Sequence, residues 1–201
     1  MLKADAQTTK QLIVRAAFAT LFQEGFAGAS ARAIARRGGF NQALVFYHFG
    51  SVQNLLLAAL DESSHQRLER YRAAVEDATG AEELVAAARE LHAEDRDSGH
   101  ITVLCEMIAG SVGNPALGRE IVARMEPWLD LVERAIQRSL TGSPLADLFP
   151  SRDLAFAVVA FYLGIDLLAQ LDGDRARVDR LFEVGSSFAP SLTDSLPESQ
   201  Q

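Results

Sequence analysis

The segment from Ser30 to Phe49 carries side chains that could contact DNA. Gln42 has an amide that can form paired hydrogen bonds with an adenine edge in the major groove, and Ala43 can contact a thymine methyl. Hydroxyl and imidazole groups nearby could bind phosphate, as could free backbone N–H groups at helix N-termini. The candidate DNA-contacting residues are Ser30, Arg32, Asn41, Gln42, Ala43, Tyr47, His48 and Ser51.

Two short helices would position these side chains. Ser30 is a good N-cap for a helix over Ala31–Arg37, which a glycine pair then breaks, and Asn41 can cap a third helix that ends near Phe49. The second glycine of the pair, Gly39, supplies the positive φ that a tight turn between helices demands. The spacing indicates a helix-turn-helix, although a plain helical hairpin in a bundle has the same pattern.

The rest of the chain also repeats its apolar residues at helical spacing, and no run alternates for long with period two. Because the two short helices are unstable alone, they must pack on a first helix that Gly25 ends. We therefore predict an all-α protein. The other predicted helices are Ala6–Gln23, Val52–Ala78, Glu82–Asp97, Ile101–Val112, Ala116–Leu140, Arg152–Leu171 and Arg175–Phe188.

Charge is divided unevenly along the 201 residues, whose net charge is −8. Residues 1–60 hold six basic and two acidic residues, a net charge of +4. Residues 61–201 hold thirteen basic and twenty-five acidic residues, a net charge of −12. Phosphates attract a basic surface and repel an acidic one, so only the N-terminal part is suited to a polyanion.

Composition indicates a cytoplasmic protein. The single cysteine, Cys105, cannot form an internal disulfide and fits a reducing compartment. No apolar run approaches the roughly 20 residues that span a bilayer, and the first residues lack the apolar stretch of a secretory signal. We expect no membrane contact and no cofactor.

Candidate catalytic and metal-binding groups do not form a recognisable set. No Ser/His/Asp or Cys/His arrangement is evident, and neighbouring carboxylates such as Glu82 and Glu83 lie on helix faces expected to be solvated. We therefore predict that the protein is not an enzyme. A metal site is an alternative interpretation of one acidic and histidine-containing segment, but the spacing of its residues does not match a recurring ligand pattern. The possible ligands are His92, Glu94, Asp95, Asp97 and His100.

The segment Ser30–Phe49, with Gly50, Ser51 and Leu55 after it, resembles the N-terminal domain of the TetR family of bacterial regulators. The matching features are the Ile34-Ala35 pair, the Gly39 corner and the Tyr47-His48-Phe49 end of the third helix. The resemblance covers about residues 10–60, while the remaining chain agrees in length, helical character and helix breaks. It implies a homodimer, a DNA-binding domain over residues 1–50 and a larger helical body that binds a small molecule.

The resemblance extends the domain prediction to the whole chain. A three-helix N-terminal helix-turn-helix domain over residues 1–50, called the head below, is joined by a long helix to a helical ligand-binding and dimerisation domain over residues 51–189. Residues 190–201 form a polar tail that is predicted to be disordered.

Two positions depart from the family pattern. Phe46 stands where the family usually has tyrosine, and Val52 stands where it usually has lysine. Both usual residues reach phosphates, so contacts with the DNA backbone are expected to be weaker. Other basic residues could compensate; the candidates are Lys3, Lys10, Arg32, Arg36 and Arg37.

A ligand pocket in the body is implied mainly by the resemblance. Apolar walls with a few polar groups describe either a pocket or an ordinary core. The candidate pocket residues are Tyr71, Leu104, Cys105, Ile108, Ser111, Met125, Trp128 and Phe161. The expected effector is a small, largely apolar molecule.

The segment Leu154–Leu171 is apolar on nearly every side, which predicts burial on both sides. Its own body can cover one side, so the other is expected to meet a second copy in a four-helix interface. A central helix of a monomer is the alternative. The candidate interface residues are Val158, Tyr162, Ile165, Val178, Leu181, Phe182 and Gly185.

These features predict a homodimeric repressor that binds a roughly palindromic operator and is released by its ligand. The long helix that begins at Val52 is expected to transmit the change, because it touches head and body. An activator or a ligand-independent regulator of the same fold remains an alternative. A helical ligand carrier, a helical enzyme or a protein-interaction bundle is a more distant one.

Overall fold

The computed structural model describes the backbone of residues 2–141, 150–172 and 175–193. Within these residues the chain forms nine α-helices and no strand, which confirms the all-α prediction. The helices are α1 (Leu2–Gly28), α2 (Ala31–Gly38), α3 (Ala43–Phe49), α4 (Val52–Asp77), α5 (Ala81–Ser98), α6 (His100–Gly110), α7 (Pro115–Ser139), α8 (Ser151–Asp172) and α9 (Arg175–Thr193).

The first and last helices, α1 and α9, are longer than predicted. The bounds of the other seven agree with the prediction within about two residues. In α1 the backbone breaks at Gly25, whose φ of 70° and ψ of 177° are not helical. Glycine therefore ends the regular helix where the sequence predicts, and one further turn follows it. The α9 backbone continues to Thr193, and residues 194–201 of the predicted tail lie outside the described residues.

The chain divides into two compact units. Unit 1 contains residues 1–67 and 99–124, and unit 2 contains residues 68–98 and 125–201. Two of the three divisions fall inside α4 and α7 and the third falls between α5 and α6, so no division coincides with the predicted domain boundary between residues 50 and 51. Assignment of DNA binding to 1–50 and ligand binding to 51–189 stays a prediction.

Unit 1 has an apolar core to which α1, α2, α3, α4, α6 and α7 each contribute. Burial of apolar side chains in this core is the main source of stability for the short α2 and α3. Helices of 8 and 7 residues have little stability of their own. Fully buried core side chains include Ile13, Leu21, Ile34, Val45, Leu55, Leu56, Leu60, Val103, Met107 and Leu117.

Unit 2 contains polar groups in its interior. His92 on α5 and Asp166 on α8 are both buried, with Nε2 of the imidazole 3.3 Å from Oδ1 of the carboxylate. The Tyr162 hydroxyl donates to Oδ2 of Asp95 at 2.9 Å, and the Tyr71 hydroxyl donates to the same oxygen. The two tyrosine oxygens also lie 2.7 Å apart, so Tyr71, Tyr162 and Asp95 form one polar cluster, in which each hydroxyl donates its single proton to one partner at a time.

Tyr162 is half-buried and forms these hydrogen bonds within unit 2, whereas the sequence predicts it at the dimer interface. Burial, reinforced by Tyr71 and Asp95, raises the pKa of Tyr162 well above its usual value. The folded chain keeps this hydroxyl protonated where an unfolded tyrosine ionises, at pH of about 10. Its stabilising effect is thus complete below that pH and is lost as the pH rises above it.

Tyr162→Phe is expected to lower the free energy of unfolding by about 1–2 kcal/mol at pH of about 8, because Asp95 loses a buried donor. Urea unfolding of wild type and variant measures this. Between pH of about 8 and 10.5 the wild type should lose more stability than the variant. Tyr47→Phe, which removes a hydroxyl from a side chain that is 81% exposed, is the control; equal effects of the two changes would contradict the role of Tyr162.

Among the described residues, no single helix is long and apolar enough to cross a membrane. The pair α3 and α4, bent by 69° at their break, passes the same test of length and composition when taken together.

Candidate nucleic-acid interface

The turn between α2 and α3 has the geometry that its glycine predicts. Ser30 caps α2, since its Oγ accepts a hydrogen bond of 3.2 Å from the N–H of Ala33. Gly39 ends the helix with a φ of 69°, and its N–H donates to the carbonyl of Ala35. This left-handed conformation is strained for residues with a Cβ, so glycine allows the chain to turn sharply into α3.

The start of α3 presents its first side chains to solvent. Oδ1 of Asn41 accepts a hydrogen bond of 2.9 Å from the N–H of Ala43, which fixes the entry into the helix. The Gln42 side chain makes no capping hydrogen bond, and both Gln42 and Ala43 are exposed. Val45 is fully buried and holds the opposite face of α3 in the core. The two predicted base-contacting residues are thus exposed at the start of an anchored helix.

The far end of α3 places Tyr47 and His48. Tyr47 is 81% exposed, and its ring packs edge to face on the half-buried His48 at a centroid distance of 4.8 Å. Gly50 ends the helix with a φ of 75°, and Oγ of Ser51 then caps α4 by accepting the N–H of Asn54 at 3.0 Å. Every predicted DNA-contacting residue lies in unit 1, and within it Ser30, Asn41 and Ser51 use one oxygen each to cap a helix.

Asn54 is a positioning residue that sequence reasoning missed. Its Nδ2 donates a hydrogen bond of 3.0 Å to the carbonyl of Phe49, the last residue of α3. The same residue gives its backbone N–H to Ser51, so it joins the end of α3 to the start of α4. The available signal was a polar residue three positions after a serine cap, where the first turn of α4 is closed.

Arg37 does not have the free guanidinium that a compensating phosphate contact requires. Nε donates to Thr20 Oγ1 at 3.0 Å, and the other nitrogens donate to Gln23 at 2.7 Å and Glu24 at 2.8 Å. Arg37 therefore holds α2 against α1 through three side-chain hydrogen bonds. Arg36 is 69% exposed and approaches Glu24 only at 3.5 Å, so it is better placed for DNA.

The other basic residues proposed to compensate for the missing phosphate contacts lie in different surroundings. Arg32 is exposed on α2. Nζ of Lys10 lies 5.6 Å from the centre of the Phe49 ring, which is a cation–π distance. The side chain of Lys3 lies outside the described residues.

The candidate pocket residues are divided between the two units. Unit 1 holds Leu104, Cys105 and Ile108 of α6, with Ser111 directly after that helix; unit 2 holds Tyr71, Met125, Trp128 and Phe161. In unit 2 the Trp128 and Tyr71 rings meet edge to face at a centroid distance of 5.2 Å, whereas Phe161 is 56% exposed. The pocket assignment stays a prediction.

A cleft of 390 Å³ in unit 1 is lined by none of these candidates. It lies between the first turns of α4 and α7, and charged or amide side chains line most of it, including Arg119 and Glu120. Arg124, which also lines it, forms ion pairs with Asp61 at 2.7 Å and with Glu120 at 2.8 Å. Its polar lining does not match the apolar effector that the sequence predicts.

The candidate interface residues are divided between core and surface of unit 2. Ile165 and Val178 are 7% and 2% exposed, so they are buried within the protomer, whereas the sequence predicts them at the dimer interface. Val158 is 48% exposed and Leu181 is 37% exposed. Two residues are half-buried: Phe182, whose ring centre lies 5.4 Å from that of His92, and Gly185, which packs near Val85.

Another set of apolar side chains on α8 is exposed. Because α8 is apolar on nearly every side, its sequence alone did not show which residues face the core of unit 2. The exposed large members are Phe156, Val158, Phe161, Leu167, Leu168 and Leu171, and Leu181 and Val184 of α9 are exposed as well. Several large exposed apolar side chains on neighbouring helices are typical of a protein interface.

Comparison with known proteins identifies the N-terminal part. Residues 13–59 match the family model of bacterial regulatory proteins, tetR family. No curated protein sequence matches the chain.

Solved structures resemble the fold over nearly the whole chain. A protein described as a transcriptional regulator from Pseudomonas aeruginosa PAO1 is 22% identical, with a TM-score of 0.77 over 93% of this chain and 91% of that one. The fatty acid degradation regulator FadR from Bacillus halodurans is 16% identical, with a TM-score of 0.75 over 92% and 98%. FadR from Bacillus subtilis, solved in complex with stearoyl-CoA, is 14% identical, with a TM-score of 0.68 over 92% and 98%. At these identities the likeness establishes a shared fold.

Proposed function

We propose that this chain, whose residues 13–59 match the model of bacterial regulatory proteins, tetR family, is a homodimeric transcriptional repressor released from its operator by a small, largely apolar ligand. The family and the fold support a DNA-binding transcriptional regulator. The observation that carries the proposal is the exposure of Gln42 and Ala43 at the start of α3, where Asn41 caps the helix after the turn at Gly39.

Docking on DNA follows from the arrangement of α2 and α3. The exposed start of α3 enters the major groove, where Gln42 reads an adenine edge and Ala43 meets a thymine methyl. Arg32, Arg36 and Tyr47 are exposed and can contact the flanking phosphates, which set orientation rather than sequence preference.

Two copies of the head are needed for a palindromic operator. The exposed apolar face of α8, continued by Leu181 and Val184 of α9, is suited to a twofold contact in which each copy supplies the same surface. Two recognition helices would then read half-sites about one DNA turn, roughly 34 Å, apart.

The effector is proposed to be apolar because the candidate pocket residues are mainly aliphatic and aromatic. A protein of the same fold was solved with stearoyl-CoA, a long-chain acyl compound, which supports a ligand of this general character. Ligand and operator would favour different conformations, so each must weaken binding of the other by the same factor.

Binding to the DNA upstream of this gene and its neighbours tests the proposal. Labelled fragments are titrated with the purified protein at several salt concentrations, and a scrambled fragment serves as control. We expect a preference for a fragment that contains an inverted repeat, with affinity falling steeply as salt rises because counterions are released. Equal affinity for all fragments, or no dependence on salt, would contradict the proposed function.

A further inference from the structure

The kink at Gly25 leaves one backbone group of α1 in need of a partner. Gly25 leaves the helical conformation, so the N–H of Phe26 points away from the regular helical ladder. Oε2 of Glu106, 80 residues later on α6, accepts a hydrogen bond of 2.9 Å from this N–H. Glu106 therefore fixes the backbone of α1 at its kink.

Two aromatic rings of α1 also pack against glycines of α6. A Cβ added at Gly99, at the start of α6, would lie 2.6 Å from the Phe22 ring, and one added at Gly110, at its end, would lie 2.2 Å from the Phe26 ring. Only glycine allows the rings to approach so closely at both ends of the helix. Since packed surfaces deform little, α6 cannot slide along α1 without breaking these contacts.

The same part of α1 is also tied to α2. Arg37 donates to Gln23 and Glu24, the two residues before the kink, and to Thr20 one turn earlier. The residues Gln23–Phe26 thus form a joint that contacts α2 through Arg37 and α6 through Glu106. This joint lies within unit 1 and connects the helix-turn-helix to α6 without involving α4.

We propose that Glu106 is a positioning residue for DNA binding, which holds the α1 joint in the conformation that the operator requires and passes a shift of α6 to α2. The inference rests on the proposed function. Three candidate pocket residues, Leu104, Cys105 and Ile108, lie on α6 within two positions of Glu106. A ligand that moves these residues would therefore act on the joint directly, in addition to the route through α4 that the sequence suggests.

The sequence of α6, HITVLCEMIAG, contains Glu106 as its one acidic residue. Its neighbours along the helix are apolar, so the carboxylate has no evident reason to be there as part of a solvated face. Its hydrogen bond to a distant backbone group supplies that reason, because a charged acceptor bonds an otherwise unsatisfied N–H strongly.

Operator affinity of Glu106→Ala and Glu106→Gln tests the inference. We expect Glu106→Ala to weaken operator binding about fivefold to tenfold, because the competent conformation of the head becomes less populated. Glu106→Gln keeps a carbonyl oxygen that can accept the same hydrogen bond, so its affinity should stay within about twofold of wild type. The salt dependence should be unchanged in both, since no phosphate contact is removed.

Amide hydrogen exchange provides a readout at the bond itself. The Phe26 amide should exchange faster in Glu106→Ala than in wild type or Glu106→Gln. Glu62→Ala, which removes an exposed carboxylate from α4 in the same unit, should change neither exchange nor affinity. If Glu106→Ala does not fold, Glu106→Asp carries the test, because its shorter side chain should weaken the bond with less disturbance.

A double-mutant cycle with Arg37→Ala tests whether the two contacts act through one joint. We expect the double variant to lose less affinity than the product of the single losses, since either change already releases the joint. Losses that simply multiply would overturn transmission through the joint, and unchanged operator affinity in Glu106→Ala would overturn the positioning role. Wild-type protein without preferential, salt-dependent binding would instead contradict the proposed function, and the inference with it.

Discussion

Replacing Leu168 with glutamate is expected to raise the dissociation constant of the proposed dimer at least about a hundredfold, because an unpaired carboxylate would be buried at a cost of several kcal/mol. Leu168 is 61% exposed in the protomer, so the charge should leave the folded monomer almost unaffected. The expected product is a folded monomer.

Leu168 lies within an apolar surface rather than alone. Phe161 and Leu171, which are 56% and 77% exposed, lie about two turns before it and one turn after it on the same side of α8. Gly164 lies between them, with open space where a Cβ would be, and could allow close approach of a second helix. A solvent-exposed stripe of this composition has a large apolar area to bury on association.

The same variant should bind operator at least about a hundredfold more weakly, because two linked heads bind far more tightly than one. Sedimentation over a range of concentrations measures the oligomeric state, and a gel-shift titration measures the affinity. Val112→Glu is the matched control, since Val112 is 85% exposed and lies on neither α8 nor α9. A Leu168→Glu protein that remains dimeric at low concentration would contradict the proposed interface.

Gln42→Ala is expected to weaken operator binding about tenfold to a hundredfold for each half-site, the range for one good bidentate contact with a base. The Gln42 side chain makes no capping hydrogen bond, and Asn41 fixes the start of α3 independently. The change should therefore remove a base contact without changing the free energy of unfolding. Binding to scrambled DNA should be nearly unaffected, so the sequence preference is what falls.

Fluorescence anisotropy with operator and scrambled duplexes at one salt concentration checks this expectation. A second measurement on operators substituted at each position should show relaxed preference at one base pair in each half-site for the variant. Gln66→Ala removes the same amide from an exposed position on α4 and serves as control. An equal loss for operator and scrambled DNA would show that Gln42 does not contact a base.

Local signals in the sequence predicted the helix-turn-helix closely. Ser30, Gly39 and Asn41 act on neighbours within four residues, through a cap or a backbone conformation. Their effect depends little on the rest of the chain, so residue type and spacing sufficed to place α2, the turn and α3. The exposure of Gln42 and Ala43 then followed from helical periodicity.

Prediction was less successful for the faces of α8 and α9. Ile165 and Val178 were expected at a dimer interface and are buried within unit 2, where the half-buried Tyr162 also forms its hydrogen bonds. Since α8 is apolar on nearly every side, periodicity could not distinguish the face packed on α5 and α9 from the face left exposed. That choice depends on which helices meet, and this is a property of the tertiary structure.

The sequence by itself determined nine helices in the described part of the chain, the turn between α2 and α3, and the residues presented at the start of α3. Only the tertiary structure decided that the Arg37 guanidinium hydrogen-bonds to α1 and is not free to contact phosphate. It also decided that Glu106 accepts the backbone N–H of Phe26. The physical reason is the separation along the chain between the groups that interact. Caps and periodicity act between near neighbours, whereas a carboxylate acquires its role from a backbone group brought to it from 80 residues away.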